Sequence, residues 1–487
     1  MHSPLFLFIV LNLLGVFFHE CWRDELQAVL IANASSSPWD LISRTSRYEA
    51  TPVLWHVILY FISFGKVLPL IVKLLNSFFI IGAASLFWFH FPVSRLLKTL
   101  LLFNYFFLYE YGLVARPYSM GIFLVFFYLS YRNAKNSKLK GAAVISLGLS
   151  CLSSLYASFV AIPLLIMRSF ELYKSASKRS LLYEVVCFSV FFFISIMQMI
   201  PPADRAMAPL KFVWDTKDFL FALGNQSVSL LYVPDLKLLA EWQSTNFGFF
   251  AENFSTLILL LTGTFLLLLV GGYLYRLNPL AAFSYLLGAF LFLGFSYVVF
   301  LGSLRHSGYF WVLIASLYWL VAESLTMQQR SLNWPFALDK KIVYFLAILS
   351  MFSGAYFYAS DLRYPFSDAL QTAAHIQRQD KPVVVTPFFV AASLSGYLRG
   401  RPLLHLNTME EATFARWTNS VVEKSVTPQD LKSWMLNKHI NEFLFVSNEP
   451  VHYQVLSKFF QVQELYKSEF CLVRDECFVL YDVKLTQ

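Results

Sequence analysis

The chain is short of charge. Only 14% of its 487 residues are Asp, Glu, Lys or Arg, against roughly 25% in an average globular protein. Hydrophobic residues make up 57% and aromatics 18%, so the chain could not cover itself with a polar skin in water. This excludes a disordered chain and a nucleic-acid-binding domain. Five cysteines are too few for a disulfide scaffold. Internal repeats and low-complexity tracts are absent. The net charge of +8 is therefore read first as membrane topology, before any anionic partner is invoked.

What the chain has in quantity is long apolar runs. Backbone amides in a bilayer must bond within their own segment, so runs of about 20 apolar residues read as helices. Candidate spans lie near 4–18, 74–91, 97–113, 118–131, 141–152, 154–170, 182–200, 254–275, 279–300, 307–326 and 341–359. That makes about eleven spans with an error of about two, the region 141–170 being two spans or one bent one. The first run has no Lys or Arg before it and no A-x-A-like site after it, so it reads as an uncleaved anchor.

Lys and Arg in short loops set the orientation. With the N-terminus in the cytoplasm, the inside loops near 95–98, 132–140, 174–179, 276 and 330–341 hold 13 basic residues. This requires the apolar piece 52–65 not to cross. Residues 19–73, 201–253 and everything after about 360 then lie outside.

From 361 to 487 the character changes to short alternating elements. Helical stretches read near 367–379 and 388–399, and strands at Pro382–Thr386, Leu403–Leu406 and Glu442–Val446. Two more strands read near 463–472 and 476–483. Thr427-Pro428-Gln429-Asp430 opens another helix with a Thr cap, a Pro at the first position and an acid at the third. The expected fold is a polytopic α-helical membrane region, 1–360, carrying a small extracytoplasmic α/β domain, 361–487. The tail has no G-x-G-x-x-G and no phosphate-binding G-x-x-x-x-G-K-[ST], so a nucleotide role has no support. Cys471 and Cys477 flank a hairpin turn on the outside, where an oxidising compartment permits a disulfide.

Four polar blocks interrupt the apolar chain on one face. Asp24 and Glu25 follow the first span in His19-Glu20-Cys21-Trp22-Arg23-Asp24-Glu25. Glu49 precedes Pro52, where the chain turns back into apolar sequence. Arg116 and Tyr118 stand in Ala115-Arg116-Pro117-Tyr118, and Arg305 and His306 in Arg305-His306-Ser307-Gly308-Tyr309. Each has a bland reading as a helix stop, a cap or a snorkelling anchor. Together, at one depth, they suit the handling of a lipid phosphate. Arg binds phosphate oxygens bidentately, and a carboxylate takes a proton from an attacking hydroxyl.

These blocks resemble the GT-C glycosyltransferases, in particular the protein O-mannosyltransferases and lipid A aminoarabinose transferases. Asp24-Glu25-Leu26-Gln27-Ala28 stands where those families have D-E-x-x-Y-A, and Glu49-Ala50-Thr51-Pro52 stands for their E-x-H-P or E-K-P block. Ala115-Arg116-Pro117-Tyr118 matches A-R-P-Y, and Phe64-Gly65, Lys73-Leu74 and Ser77 resemble F-G…R-L-P-S with Lys for Arg. Ser395-Gly396-Tyr397-Leu398 is similar to a motif of many bacterial members' tails. The family's His-Pro-Pro and the Tyr after Asp-Glu are missing.

The resemblance implies a multi-pass enzyme of a bacterial inner or plasma membrane that transfers a sugar, with inversion. The donor is a polyprenyl-phosphate-linked sugar; the acceptor, a lipid, glycan or protein outside the cytoplasm, is not specified. Asp24 is expected as the base, with Glu25 and Glu49 orienting hydroxyls. Arg116 and Arg305, with Lys73, Tyr118 and His306 beside them, are expected to bind the lipid phosphate. No cofactor is implied with certainty, and a divalent metal, on Asp24 if anywhere, stays open. The competing reading is a transporter or flippase of lipid-linked sugars, which calls for polar residues and broken helices deep in the membrane.

Overall fold

The computed structural model describes residues 3–206, 210, 213–230, 232–234, 242–243, 256–327, 337–419, 427–449 and 451–485. Helix α1 (Ser3–Phe18) leads to α2 (Arg23–Ala34), and the two are bent by 75°. Residues 19–22 leave the helical path. Glu25 reaches back to accept the Trp22 backbone N–H at 3.0 Å, fixing where α2 begins. Two acids in its first turn favour the positive end of the helix dipole. Residues 25–32 of α2 are all buried, so the helix packs inside the fold.

Helix α3 (Leu54–Ile62) has nine residues, about 14 Å at 1.5 Å per residue. It is too short to cross, as the expected topology requires. Helix α4 (Pro69–His90) follows. The span expected at 97–113 is not one helix but α5 (Arg95–Leu102) and a π-helical turn, Tyr105–Glu110. Asn104 causes the break: its side chain accepts the Phe107 N–H at 2.7 Å, a local bond that competes with the helical ladder.

Helices α6 (Tyr118–Tyr131), α7 (Ser137–Ser153), α8 (Leu155–Lys174) and α9 (Lys178–Met199) continue the bundle. Residues 141–170 therefore form two helices, parted at Ser154, whose hydroxyl accepts the Tyr156 N–H. Next come α10 (Thr216–Val228), α11 (Thr256–Leu277), α12 (Pro279–Val298), α13 (Leu304–Met327) and α14 (Ala337–Arg363). Among the described residues six helices are long and apolar enough to cross, or seven if α1 and α2 count as one span. Residues 254–255 of one expected span and 330–336 of the last basic loop lie outside the described residues, as does much of 201–253.

The tail is a mixed sheet with helices, as its alternation predicts. Helix α15 (Ala369–Gln377), β1 (Val383–Thr386), α16 (Val390–Tyr397), β2 (Leu403–His405) and β3 (Glu410–Ala412) come first. Helix α17 (Pro428–Asn437), β4 (Glu442–Ser447), α18 (Val451–Leu456), β5 (Phe460–Lys467) and β6 (Val479–Leu485) complete it. The strand order is β3-β2-β1-β4-β6-β5, with β1 parallel to β2 and β4 and the other pairs antiparallel. Val383 and Val385 face one core and Val384 the other, so β1 is buried on both faces, as a parallel central strand must be. Thr427 and Asp430 form the expected capping box, and Cys471 is disulfide-bonded to Cys477 in the β5–β6 connection. The short β3 and α18 had no clear periodicity in the sequence.

The tail sits directly on α2. Gly396 of α16 lies so close that an added Cβ would come within 2.6 Å of the Leu26 side chain. Tyr397 donates its hydroxyl to the Cys21 carbonyl at 3.3 Å. The Ser-Gly-Tyr-Leu block of the tail is thus a docking contact against the segment that carries Asp24.

Candidate active site

The first turn of α2, the loop before α6 and the first turn of α13 meet at Asp24. Its Oδ2 lies 3.1 Å from Arg305 Nη2 and 3.7 Å from Arg116 Nη1. Arg116 Nη1 also donates to the Asp24 carbonyl at 2.6 Å. Side-chain exposure is 27% for Asp24, 16% for Arg116 and 14% for Arg305, so the cluster is sunk but open on one side. Burial pushes the Asp24 carboxyl up, yet Arg116, Arg305 and Arg23 outweigh it and hold the group below its ordinary range. Buried Arg305 Nε and Nη1 and Arg116 Nε have no hydrogen-bond partner among the described residues. Buried guanidinium donors left unpaired are costly, and an anion is what satisfies them.

Aromatic rings wall this cluster. The Arg305 guanidinium lies 5.0 Å from the Trp22 ring and 5.6 Å from Trp242. Trp242 is itself held by Glu110, whose Oε2 accepts its indole N–H at 3.0 Å and the Tyr105 hydroxyl at 2.5 Å. Trp242 and Glu110 are hard to single out in the sequence: the two stand 132 residues apart, and an acid in an aromatic run reads only as a helix end.

Glu25 points the other way. It is fully buried, and its Oε1 accepts the Ala115 N–H at 2.5 Å while Oε2 lies 3.2 Å from His19 Nε2. His19 Nδ1 is 2.7 Å from Asp361 Oδ2, and the two carboxylates raise the imidazole to about 10 against its burial. Glu25 therefore fixes the loop bearing Arg116 rather than facing the open side. Lys73 joins this second cluster, donating to the His19 carbonyl at 3.0 Å.

Glu49 ends a 3-10 turn, Ser46–Glu49. Its Oε1 accepts the Gln27 side-chain N–H at 2.5 Å. Burial lifts its carboxyl to about 7, against the Gln27 hydrogen bond and the charges of Arg116 and Arg205. Asp24 also raises it, so the two acids feel each other.

Tyr118 packs against Tyr111, Tyr309 and His306. His306 Nδ1 accepts the Ser303 N–H at 2.8 Å, and its ring lies 4.9 Å from Tyr156. Both belong to the aromatic floor that supports Arg116 and Arg305. Among the described residues no three His, Cys, Asp or Glu groups are placed to hold a metal ion. The neighbours of Asp24 are guanidiniums, so the residues present do not fit a divalent cation there.

No protein-family model matches the sequence, and no curated protein matches it. Solved structures do. ArnT from Cupriavidus metallidurans bound to undecaprenyl phosphate aligns with TM-score 0.51 and 13% identity over 99% of this chain and 98% of its own. The apo state of ArnT from the same organism gives 0.50 and 14% over 98% and 97%. Over nearly its whole length the chain has the fold of this ArnT.

Proposed function

We propose that the protein moves a sugar from a polyprenyl phosphate to an acceptor hydroxyl at the extracytoplasmic face of the membrane, with inversion. The observation that carries this is the pair of sunken guanidiniums, Arg116 and Arg305, meeting one carboxylate with three donor nitrogens to spare among the described residues. ArnT, whose fold this chain has, is known in a form bound to undecaprenyl phosphate.

In the reaction the acceptor oxygen attacks the anomeric carbon while the bond from that carbon to the phosphate oxygen breaks. The electron pair leaves with the polyprenyl phosphate, whose growing charge Arg116 and Arg305 neutralise. Fixed donors of this kind supply about 3–4 kcal/mol each where they meet developing charge. The acceptor's proton needs a carboxylate that binds it at neutral pH. Glu49, lifted to about 7, suits this better than Asp24, which the arginines hold ionised. The reading therefore moves the base from Asp24, where the sequence analysis expects it, to Glu49, and makes Asp24 the counter-charge that sets the guanidiniums.

A cavity of about 170 Å³, almost wholly apolar, lies between α13, α14, α11 and α5. Its wall includes Trp311, Ala315 and Tyr318 of α13, the helix whose first turn bears Arg305, although none of Asp24, Arg116 and Arg305 lines it.

The test is a comparison of lipid extracts from a strain lacking the gene and its parent. Accumulation of one polyprenyl-phosphate sugar in the deletion strain supports the reading and names the donor. Parent-level pools of every such lipid overturn it. A flippase is separated from a transferase by the side on which the lipid gathers, since loss of a flippase traps it in the inner leaflet.

A further inference from the structure

The tail reaches the two acids of the site through two separate links. The first runs through Gln27. Its Oε1 accepts the Ala415 N–H and its Nε2 donates to the Ala415 carbonyl, both at 3.3 Å. The same Nε2 donates to Glu49 Oε1 at 2.5 Å. Both ends of the Gln27 amide are thus spent between the tail's backbone and the acid. The segment around Ala415 is itself tied down beside Glu49. Asn419 N–H donates to the Asp204 carbonyl and Ala206 N–H to the Trp417 carbonyl, each at 3.0 Å. Arg205 Nε in turn donates to the Tyr48 carbonyl at 2.6 Å.

The second link runs through Arg23, the neighbour of Asp24. Its Nη1 lies 2.7 Å from Asp475 and 3.6 Å from Glu476, both inside the loop closed by the Cys471–Cys477 disulfide. Its guanidinium also lies 4.7 Å from the Phe389 ring of the tail. Glu476 is fully buried and accepts the hydroxyls of Ser367 at 2.8 Å and Ser393 at 3.1 Å. A docking surface that merely glued the tail to the bundle would not need to place a buried amide against Glu49 and a buried carboxylate against Arg23, whose Nε lies 3.9 Å from Asp24 Oδ1.

We propose that the tail is a working part of the transfer site: Ala415, acting through Gln27, positions Glu49, and the Asp475–Glu476 pair, acting through Arg23, positions the start of α2 and with it Asp24. Gln27 and Arg23 are positioning residues, touching the acids and not the reacting atoms. The inference rests on the transfer reading above.

The test uses full-length protein in membranes of the source cell, which supply the acceptor, with a labelled polyprenyl-phosphate sugar as donor. Gln27→Leu keeps the size of the side chain and loses all three hydrogen bonds. It is expected to lower kcat by up to about 100-fold, the scale of a misplaced catalytic group. The donor KM and the affinity for undecaprenyl phosphate stay within about twofold, because the arginines are untouched. The acid limb of the rate profile also moves to higher pH. Without the Gln27 N–H, burial and the Asp24 charge push Glu49 up and only Arg116 and Arg205 oppose them.

Asp475→Asn with Glu476→Gln is expected to lower kcat about tenfold with no displacement of the acid limb. Parental kcat and pH profile in Gln27→Leu overturn the proposal, and so does a loss of undecaprenyl phosphate binding equal to the loss of rate. If Arg305→Ala also leaves donor consumption at the parental level, the transfer reading itself has failed.

Discussion

Two of the ionic clusters among the described residues resemble each other in composition and differ in what they leave over. At the far ends of α8 and α9, Arg168 Nε lies 3.4 Å from Glu184 and Nη1 3.2 Å from Glu171. Tyr128 adds its hydroxyl to Glu184 at 3.3 Å. Arg168 and Glu184 expose only 8% and 2% of their side chains. None of the Arg168 nitrogens is stranded. At Asp24 the exposure is higher, and three buried guanidinium nitrogens have no hydrogen-bond partner among the described residues. In a closed ion pair each charge answers the other, and removing one partner leaves an uncompensated buried charge. One that leaves donors unpaired next to an opening is built for a third charge.

Substitutions separate the two most sharply. Arg305→Ala is expected to cost the largest amount of activity, roughly 100- to 1000-fold in donor turnover, the worth of one donor aimed at developing charge. Its thermal unfolding in detergent should change little. Glu184→Gln should do the reverse. It leaves Arg168 without its buried partner and lowers stability by about 3 kcal/mol, while turnover per folded molecule stays at the parental level. If Glu184→Gln silences the folded enzyme, the contrast between the clusters is false.

Arg116→Lys comes next. A point charge replaces a planar fork that reaches Asp24 twice, so turnover should fall about tenfold to 100-fold and undecaprenyl phosphate should bind more weakly. The pH dependence then identifies the base. An acid that must be ionised gives a rate that rises with pH and levels off above its pKa, here about 7 for Glu49. Glu49→Gln should remove that limb along with most of the rate. Asp24→Asn should lower the rate with the limb intact. A limb that vanishes with Asp24→Asn and survives Glu49→Gln returns the base to Asp24.

The open cluster was legible in the sequence and the closed one was not. Asp24, Glu49, Arg116 and Arg305 stood at the ends of apolar runs, where a charge in a charge-poor chain is conspicuous. Hydropathy and the positive loops put all four on one face. Glu25 and Lys73 sat in the same blocks, yet the fold turned them toward His19, because side-chain direction at a helix start depends on a cap that spacing alone does not reveal. Gln27, Trp242 and Glu110 carried no signal. Each acquires its role from partners brought close only by tertiary packing, such as Ala415, 388 residues from Gln27. The membrane region was read correctly in kind. Its spans were harder to delimit where a side-chain cap at Asn104 or Ser154 breaks an apolar run.

A third polar cluster completes the scale and gives the smallest expected effect. The Thr427–Asp430 capping box at the start of α17 has the reciprocal bonds of a closed pair but lies exposed in water, with the Thr427 hydroxyl 2.7 Å from Asp430 Oδ2 and the Thr427 N–H 2.9 Å from it. Water can replace each of these bonds, so little is stranded when one is lost. Thr427→Ala should therefore cost about 1 kcal/mol, the usual worth of an N-cap, read as a small drop in thermal midpoint. Donor turnover and the acid limb should both match the parent, since α17 touches neither Ala415 nor Arg23 through any bond described here. A loss of turnover from this substitution would mean that the tail communicates with the site by its general stability, and the distinction between open and closed clusters would then say nothing about function.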